Sequence, residues 1–268
     1  MDERLEQLIY AIEDDHWWYR GRRRVINEQI RRLRLPRSVE ILDAGCGSGR
    51  NMLEFAQLGT VSGIDISPHS VALATARGVG TVIHGSITEM PFWHGRFDFV
   101  TCMDVLEHIE DDGLALRELR AVMREGGALL VTVPAYPSLW CEHDVLNGHY
   151  RRYTRRSLSG LAVAAGWEIV HWTYFTSLVL PFVAADRRLR RRRPLRSDTQ
   201  LISDLERTPR LLRAPLERTL ELEAWAIGHG ATIPAGLSLM TIMRKRGDAP
   251  VARTQTGARR TPASAARR

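Results

Sequence analysis

Residues 41–50 read Ile-Leu-Asp-Ala-Gly-Cys-Gly-Ser-Gly-Arg, setting Asp43 at the end of an apolar run and Gly45, Gly47 and Gly49 at alternating positions after it. Glycine lets a chain turn sharply and lets a ligand approach its backbone without a Cβ clash. A helix beginning there would present free amides. A second carboxylate, Asp65, ends the next apolar run 20 residues after Gly45. That is the distance and setting at which a carboxylate grips a ribose diol. The dinucleotide fingerprint is G-x-G-x-x-G, whereas this loop reads G-x-G-x-G. Asp43 would repel a pyrophosphate and attract a cationic amino-acid group. S-adenosylmethionine, an adenosyl cofactor with positive charge and no phosphate, meets these conditions better than NAD.

Ligands of open α/β sheets sit beyond the carboxyl ends of the strands, where segments 16–20, 103–108 and 136–153 are candidates to converge. The last is dense in ionisable and aromatic side chains for a connector, and such loops carry function on a rigid scaffold. His143 and His149 titrate near neutral pH, so either suits proton removal from a hydroxyl or amine, His143 first. Arg151 and Arg152 suit a carboxylate or phosphate clamp, with Tyr136 and Tyr153 as further substrate contacts. The alternative is a network that only fixes this loop over the sheet edge. Trp17, Trp18 and Tyr19 are candidates to close over the site, excluding water and holding a cation against their faces; the competing role is anchorage of the N-terminal helices. Glu107 and His108 are set between direct chemistry and holding their own loop. No Cys/His group has structural-zinc spacing, and His143 to His149 lacks a helical i,i+4 pair, so no metal is expected.

The elements that must position these residues follow from periodicity. Val39–Leu42, Val61–Ile64, Thr81–Ile83, Phe97–Cys102 and Ala128–Val133 are short apolar runs separated by helix-compatible segments or turns. This is the rhythm of βαβ units with a parallel sheet. Ser67-Pro68 is a helix start, and Asp111 or Asp112 caps a segment that ends at Gly126-Gly127. Leu5, Leu8, Ile9 and Ile12 lie on one helical face, and a further helix is expected over 22–33, stopped by Pro36. Residues 135–153 read as a long polar loop, 157–165 as a helix, and 167–174 and 237–243 as strands. Between those two strands lies an insertion of about 60 residues with an amphipathic helix over 215–227.

Residues 43–49 together with Gly63-Ile64-Asp65-Ile66-Ser67 resemble the cofactor loop and ribose segment of class I S-adenosylmethionine-dependent methyltransferases, especially the small-molecule group with the type 11/12 methyltransferase domain. Residues 85–92 resemble the adenine-side loop, and 97–109 the fourth strand and the loop after it. The resemblance covers about 38–134 closely. It implies a Rossmann-like α/β fold with a mostly parallel seven-stranded sheet, helices on both faces, N-terminal helices and a helical insertion before the last strand. It implies that S-adenosylmethionine, leaving as S-adenosylhomocysteine, is held by Asp43, Gly45, Cys46, Gly47, Gly49, Asp65, Ile66, Ser86, Ile87, Asp104, Leu106 and His108. One departure is Ser86, where the family commonly has Asp; serine accepts a hydrogen bond from the adenine amino group without charge assistance.

The domains expected are an N-terminal helical lid (1–36), a methyltransferase domain (37–246, insertion about 176–235) and a disordered basic tail (247–268). The net charge of +7 is local: residues 244–268 carry eight basic residues and one acid, so the rest sums to zero. Arg187, Arg188, Arg190, Arg191, Arg192, Arg193 and Arg196 form a second block, balanced by acids elsewhere. Lys245 is the only lysine, so arginine richness is compositional and nucleic acid is not the expected partner. The polar start lacks a signal-peptide apolar region, no run reaches bilayer length, and a cytoplasmic location is expected. The insertion reads as a substrate-covering cap. Its alternative is peripheral contact with the inner face of the membrane through residues 174–196. Oligomeric state stays open. The function expected is methyl transfer to oxygen or nitrogen of a small molecule, a specialised metabolite or glycan precursor. The alternatives are a non-methylating reaction such as cyclisation, a non-enzymatic docking protein, and a nucleic-acid methyltransferase.

Overall fold

A computed structural model describes residues 3–36, 38–190 and 208–245. The expected tail, and Arg191, Arg192, Arg193 and Arg196 of the arginine block, lie outside the described residues. Seven strands, β1 (Val39–Ala44), β2 (Gly59–Asp65), β3 (Thr81–His84), β4 (Phe97–Met103), β5 (Met123–Pro134), β6 (Trp167–Phe175) and β7 (Ser238–Lys245), form one sheet in the order β3-β2-β1-β4-β5-β7-β6. All pairings are parallel except those of β7, which runs antiparallel to both β5 and β6. Strand order reverses between β1 and β4, so a crevice opens at their carboxyl ends. Asp43 is one residue from the end of β1 there.

Side chains alternate across the sheet and feed two apolar layers. Leu42, Val100, Leu129 and Val131 face α5 (Asp112–Val122) and α7 (Arg155–Ala164). Ile41, Phe99, Leu130 and Ile242 face α2 (Trp17–Arg32) and the long helix α9 (Arg210–Gly228). The remaining helices are α1 (Glu3–Ile12), α3 (Met52–Phe55), α4 (Pro68–Ala76), α6 (Glu142–Leu146) and α8 (Leu180–Arg190). Caps fix several starts: the Ser67 side chain accepts from the Ser70 amide, Asp111 from Leu114 and Thr154 from Ser157.

Four boundaries differ from expectation. Helix α2 begins at Trp17 rather than Arg22, because the His16 ring accepts from the Trp18 amide as its cap. Helix α5 ends at Val122, and Met123 pairs with Phe97 as the start of β5, so Gly126-Gly127 lie inside a strand. Helix α9 begins at Arg210 and keeps Pro215 inside it, at the loss of one intrahelical hydrogen bond. Residues 135–153 are not an open loop: a 3₁₀ turn (Pro137–Leu139), α6 and an Ala135–Tyr153 bridge order them.

Helix α2 lies along α9 with Gly21 against Leu220. A Cβ at Gly21 would fall 2.4 Å from Leu220 Cδ1 and 2.6 Å from Leu220 Cβ. Gly→Ala in a free helix gains about 1 kcal/mol, but here the obstructing Cβ is fixed to the partner backbone. Gly21→Ala should therefore destabilise by about 1–3 kcal/mol, as overpacking does. A urea unfolding midpoint equal to or above that of the wild type would show that the two helices separate freely.

Candidate functional site

The glycine loop folds around two carboxylates. Asp43 is fully buried; its Oδ1 accepts from the Thr101 hydroxyl at 2.7 Å, while its Oδ2 has no hydrogen-bond partner. Burial pushes this carboxyl up to about 7, opposed by the Thr101 hydroxyl and Arg22 and reinforced by Asp65. Asp65 accepts from the Gly47 amide at 2.8 Å and the Ser67 amide at 2.9 Å, tying the loop to the end of β2. Gly45, at φ +77°, leaves no room for a side chain, since a Cβ would stand 2.3 Å from Val105 Cγ2. A close-lying backbone, a ribose-type carboxylate and a buried carboxyl oxygen without a partner fit a cationic adenosyl ligand.

Two cavities meet at this loop. One, of about 590 Å³, is lined by Asp65, Ile66, Ser86 and Ile87. The other, of about 520 Å³, is lined by Cys46, Trp17, Trp18, Tyr19, Glu107, His143, His149 and Arg152. Gly45, Gly47, Asp104 and His108 line both, so the cavities join at the end of β4. Asp104 holds that junction in the left-handed region at φ +57°, which Asp tolerates better than most residues. Its amide donates to the Thr132 carbonyl at 2.8 Å, and its carboxylate takes the Thr132 hydroxyl at 3.1 Å and Arg22 at 2.6 Å. Ser86 braces its own turn: its hydroxyl accepts from the Thr88 amide at 3.2 Å and pairs with the Thr88 hydroxyl at 2.7 Å.

The histidine side of the cleft is organised by Asp144, buried at the N-terminal turn of α6. Its carboxylate accepts from the Cys141 amide (2.8 Å), His149 Nδ1 (2.9 Å) and Arg152 Nε (2.7 Å). Burial opposes ionisation, but His149 and Arg152 hold the carboxyl well below the ordinary carboxylate range. Burial lowers His108 and His143 to about 4 each, so both are neutral at pH 7. Neutral imidazole is the form that takes up a proton.

Six residues named from the sequence line neither cavity. Asp43 lies beneath the loop, and Gly49 packs against Ala74. Leu106 is core, with its carbonyl accepting from Tyr153 at 3.2 Å. Tyr153 is a buried anchor that also donates to Asp112 at 2.7 Å. Arg151 pairs outward with Asp112 at 3.0 Å and the Glu110 carbonyl, and Tyr136 stacks on Tyr174 at 5.4 Å. Arg152 does line the cavity, but its Nε is committed to Asp144. Sequence reasoning found α1 as a helix but missed its site residues: Tyr10 lines both cavities and Glu6 the larger, where the Glu6 carboxylate accepts from the Ser67 hydroxyl at 2.7 Å. The only trace of this was acids and a tyrosine on the polar face of an amphipathic helix.

Residues 42–131 match the methyltransferase domain family. The chain is 30% identical over 168 residues to a Mycolicibacterium smegmatis protein named "Probable S-adenosylmethionine-dependent methyltransferase", covering 61% of this chain and 64% of that protein. It is also 30% identical over 161 residues to a demethylmenaquinone methyltransferase of Mycolicibacterium vanbaalenii, covering 60% and 65%. The chain thus spans just under two thirds of each relative's length. Its fold is similar to that of Haemonchus contortus phosphoethanolamine N-methyltransferase 2 in complex with S-adenosyl-L-methionine: TM-score 0.54, 18% identity, 82% of this chain and 53% of that one.

The Asp43 carboxyl sets a pH dependence. Its value rises from an ordinary 3.8 to about 7 on folding, so between those values the folded chain holds a proton that the unfolded chain has lost. Its stabilising contribution is therefore present at low pH and lost as pH rises through about 7. Without ligand, Asp43→Asn should gain stability relative to wild type across that window. A difference in urea midpoints that does not grow with pH would contradict this.

Proposed function

We propose that the chain is a class I S-adenosylmethionine-dependent methyltransferase that methylates oxygen or nitrogen of a small molecule held in the histidine-lined cavity. The observation that carries this reading is the junction at Asp104 and His108, where the adenosyl side of the cleft opens directly onto the acceptor side. When bound, S-adenosylmethionine supplies a sulfonium methyl: the acceptor lone pair forms the new bond to carbon, the C–S pair goes to sulfur, and S-adenosylhomocysteine leaves. Asp65 holds the ribose hydroxyls, and the Gly45–Gly47 backbone seats the amino-acid end. Trp17, Trp18 and Tyr19 exclude water from the acceptor cavity and offer their faces to positive charge. His143, neutral at pH 7, takes the acceptor's proton. The acceptor is a specialised metabolite or a glycan precursor, and the quinone-named relative makes hydroquinones a further class to assay.

Calorimetric titration with S-adenosylmethionine should give saturable binding that Asp65→Ala weakens about 10–100-fold, the loss of charge-assisted hydrogen bonds to a diol. Methyl-labelled cofactor should then pass its label to a hydroxyl or amine acceptor. Folded protein that does not bind the cofactor would refute the reading, and so would product formed with the label left in the cofactor, the outcome of cyclisation.

Peripheral membrane contact through residues 174–196 belongs to the same proposal. Among the described residues no helix is long and apolar enough to cross a membrane. Phe182 and Leu189 of α8 are each 74% exposed, beside Arg188, an arrangement suited to an anionic lipid surface. Phe182→Asp should reduce co-sedimentation with vesicles containing phosphatidylserine. Equal sedimentation of the two proteins would leave α8 as a cap alone.

A further inference from the structure

We propose that Glu107, His108 and His149 bind a divalent first-row transition-metal ion in the wall of the acceptor cavity. One carboxylate oxygen and one nitrogen from each ring lie within 4.8 Å of one another. Ligand atoms each about 2.0–2.2 Å from a shared ion stand at most about 4.4 Å apart, so small side-chain rotations suffice. Two imidazoles and a carboxylate are a donor set for zinc, iron, cobalt or manganese, with positions left open for another ligand.

The groups around the triad are those that a metal site requires. A ligating histidine donates its other ring N–H to a carboxylate or backbone carbonyl. His149 does so through Nδ1 to Asp144 at 2.9 Å, which leaves Nε2 as the lone-pair nitrogen. The His108 and His149 rings meet edge to face with their centroids 4.6 Å apart. Glu107 is 1% exposed, and its Oε2 is buried without a hydrogen-bond partner. Arg22 is paired with Asp104 and Arg152 with Asp144, so neither cation is committed to Glu107, whose carboxyl burial pushes up toward its neutral form. The two chain segments are pinned where they must meet, with the Tyr150 amide donating to the Glu107 carbonyl at 2.7 Å. Spacing along the chain did not reveal the site because the ligands come from two turns 41 residues apart.

The ion's role rests on the methyl-transfer reading and narrows it to a hydroxyl acceptor. An open position beside the junction takes the acceptor oxygen and lowers its pKa. The O–H proton passes to His143 of the same cavity, the freed pair forms the O–C bond, and the C–S pair leaves with sulfur.

Tag-free full-length protein, stripped with a chelator, should be titrated with Co²⁺ and followed by visible absorption. The result expected is saturable uptake of a single ion per chain, displaced by Zn²⁺. His149→Ala and His108→Ala should abolish it, Asp144→Asn should weaken it about 10–100-fold, and His229→Gln, at a residue that lines neither cavity, should leave it unchanged. X-ray absorption of the zinc-loaded wild type, which depends on no variant's folding, should register two imidazoles. No saturable uptake by protein that still binds S-adenosylmethionine, no imidazole scattering, or unchanged uptake in both alanine variants would overturn the site. Cobalt uptake without S-adenosylmethionine binding would instead refute the methyl-transfer reading and leave the metal site standing.

Discussion

The molecule's defining constraint is the burial of carboxylates along one edge of its sheet. Asp43, Glu107 and Asp144 are all removed from water at the carboxyl ends of β1 and β4 and in the segment above them. A buried carboxylate is tolerated when it is paired, neutralised or awaiting a cation. Asp144 is paired, and its three bonds fix α6, His149 and Arg152 in one step, which orders the whole 135–153 segment. Asp43 and Glu107 are only partly satisfied, each with a buried oxygen that no protein group reaches. The fold thus keeps two partly satisfied carboxyls, Asp43 beneath the glycine loop and Glu107 in the wall of the cavity that the histidines line. Burial holds both toward the neutral acid, and a cationic ligand would draw off the proton.

The same constraint explains the crowding of arginine around the site. Arg22 reaches from α2 to Asp104 and also donates to Thr132 at 3.3 Å, so the helix carrying the aromatic triplet is registered against the sheet edge by charge as well as by packing. Arg77 ties Glu13 to the glycine loop through Glu13 at 2.6 Å and the Ser48 carbonyl at 2.7 Å. These pairs lock α1 and α2 over the cleft. Arginine here serves internal neutralisation, within residues 1–243, whose formal charges sum to zero.

How much of this was legible in the sequence follows from the range of each interaction. The strands were readable because apolar runs and breakers are local, and the glycine loop with Asp43 and Asp65 because its constraints lie within one βαβ unit. The 136–153 segment was misread as an open loop because polar composition implies water unless the partners are known. Its partners, Glu107, Asp112 and Tyr174, come from elsewhere in the chain. Tyr153 and Arg151 showed the right chemistry for substrate contact, but Asp112 takes both. The early start of α2 depended on His16 acting as a cap, a role its residue type does not advertise. Helix α1 was found as an amphipathic segment, but its place over the cofactor side depends on hydrogen bonds to Ser67 and Ser70 across some 60 residues.

Proton linkage tests the central claim, that partly unsatisfied buried carboxyls await a cationic ligand. S-adenosylmethionine should be titrated calorimetrically just below the Asp43 value of about 7, in buffers that differ in ionisation enthalpy. At that pH somewhat more than half of the carboxyl is protonated and the ligand's amino group is charged, so binding should release protons. The apparent enthalpy should then vary with the buffer in the direction of proton release. Binding that is independent of the buffer, or that takes protons up, would contradict the account.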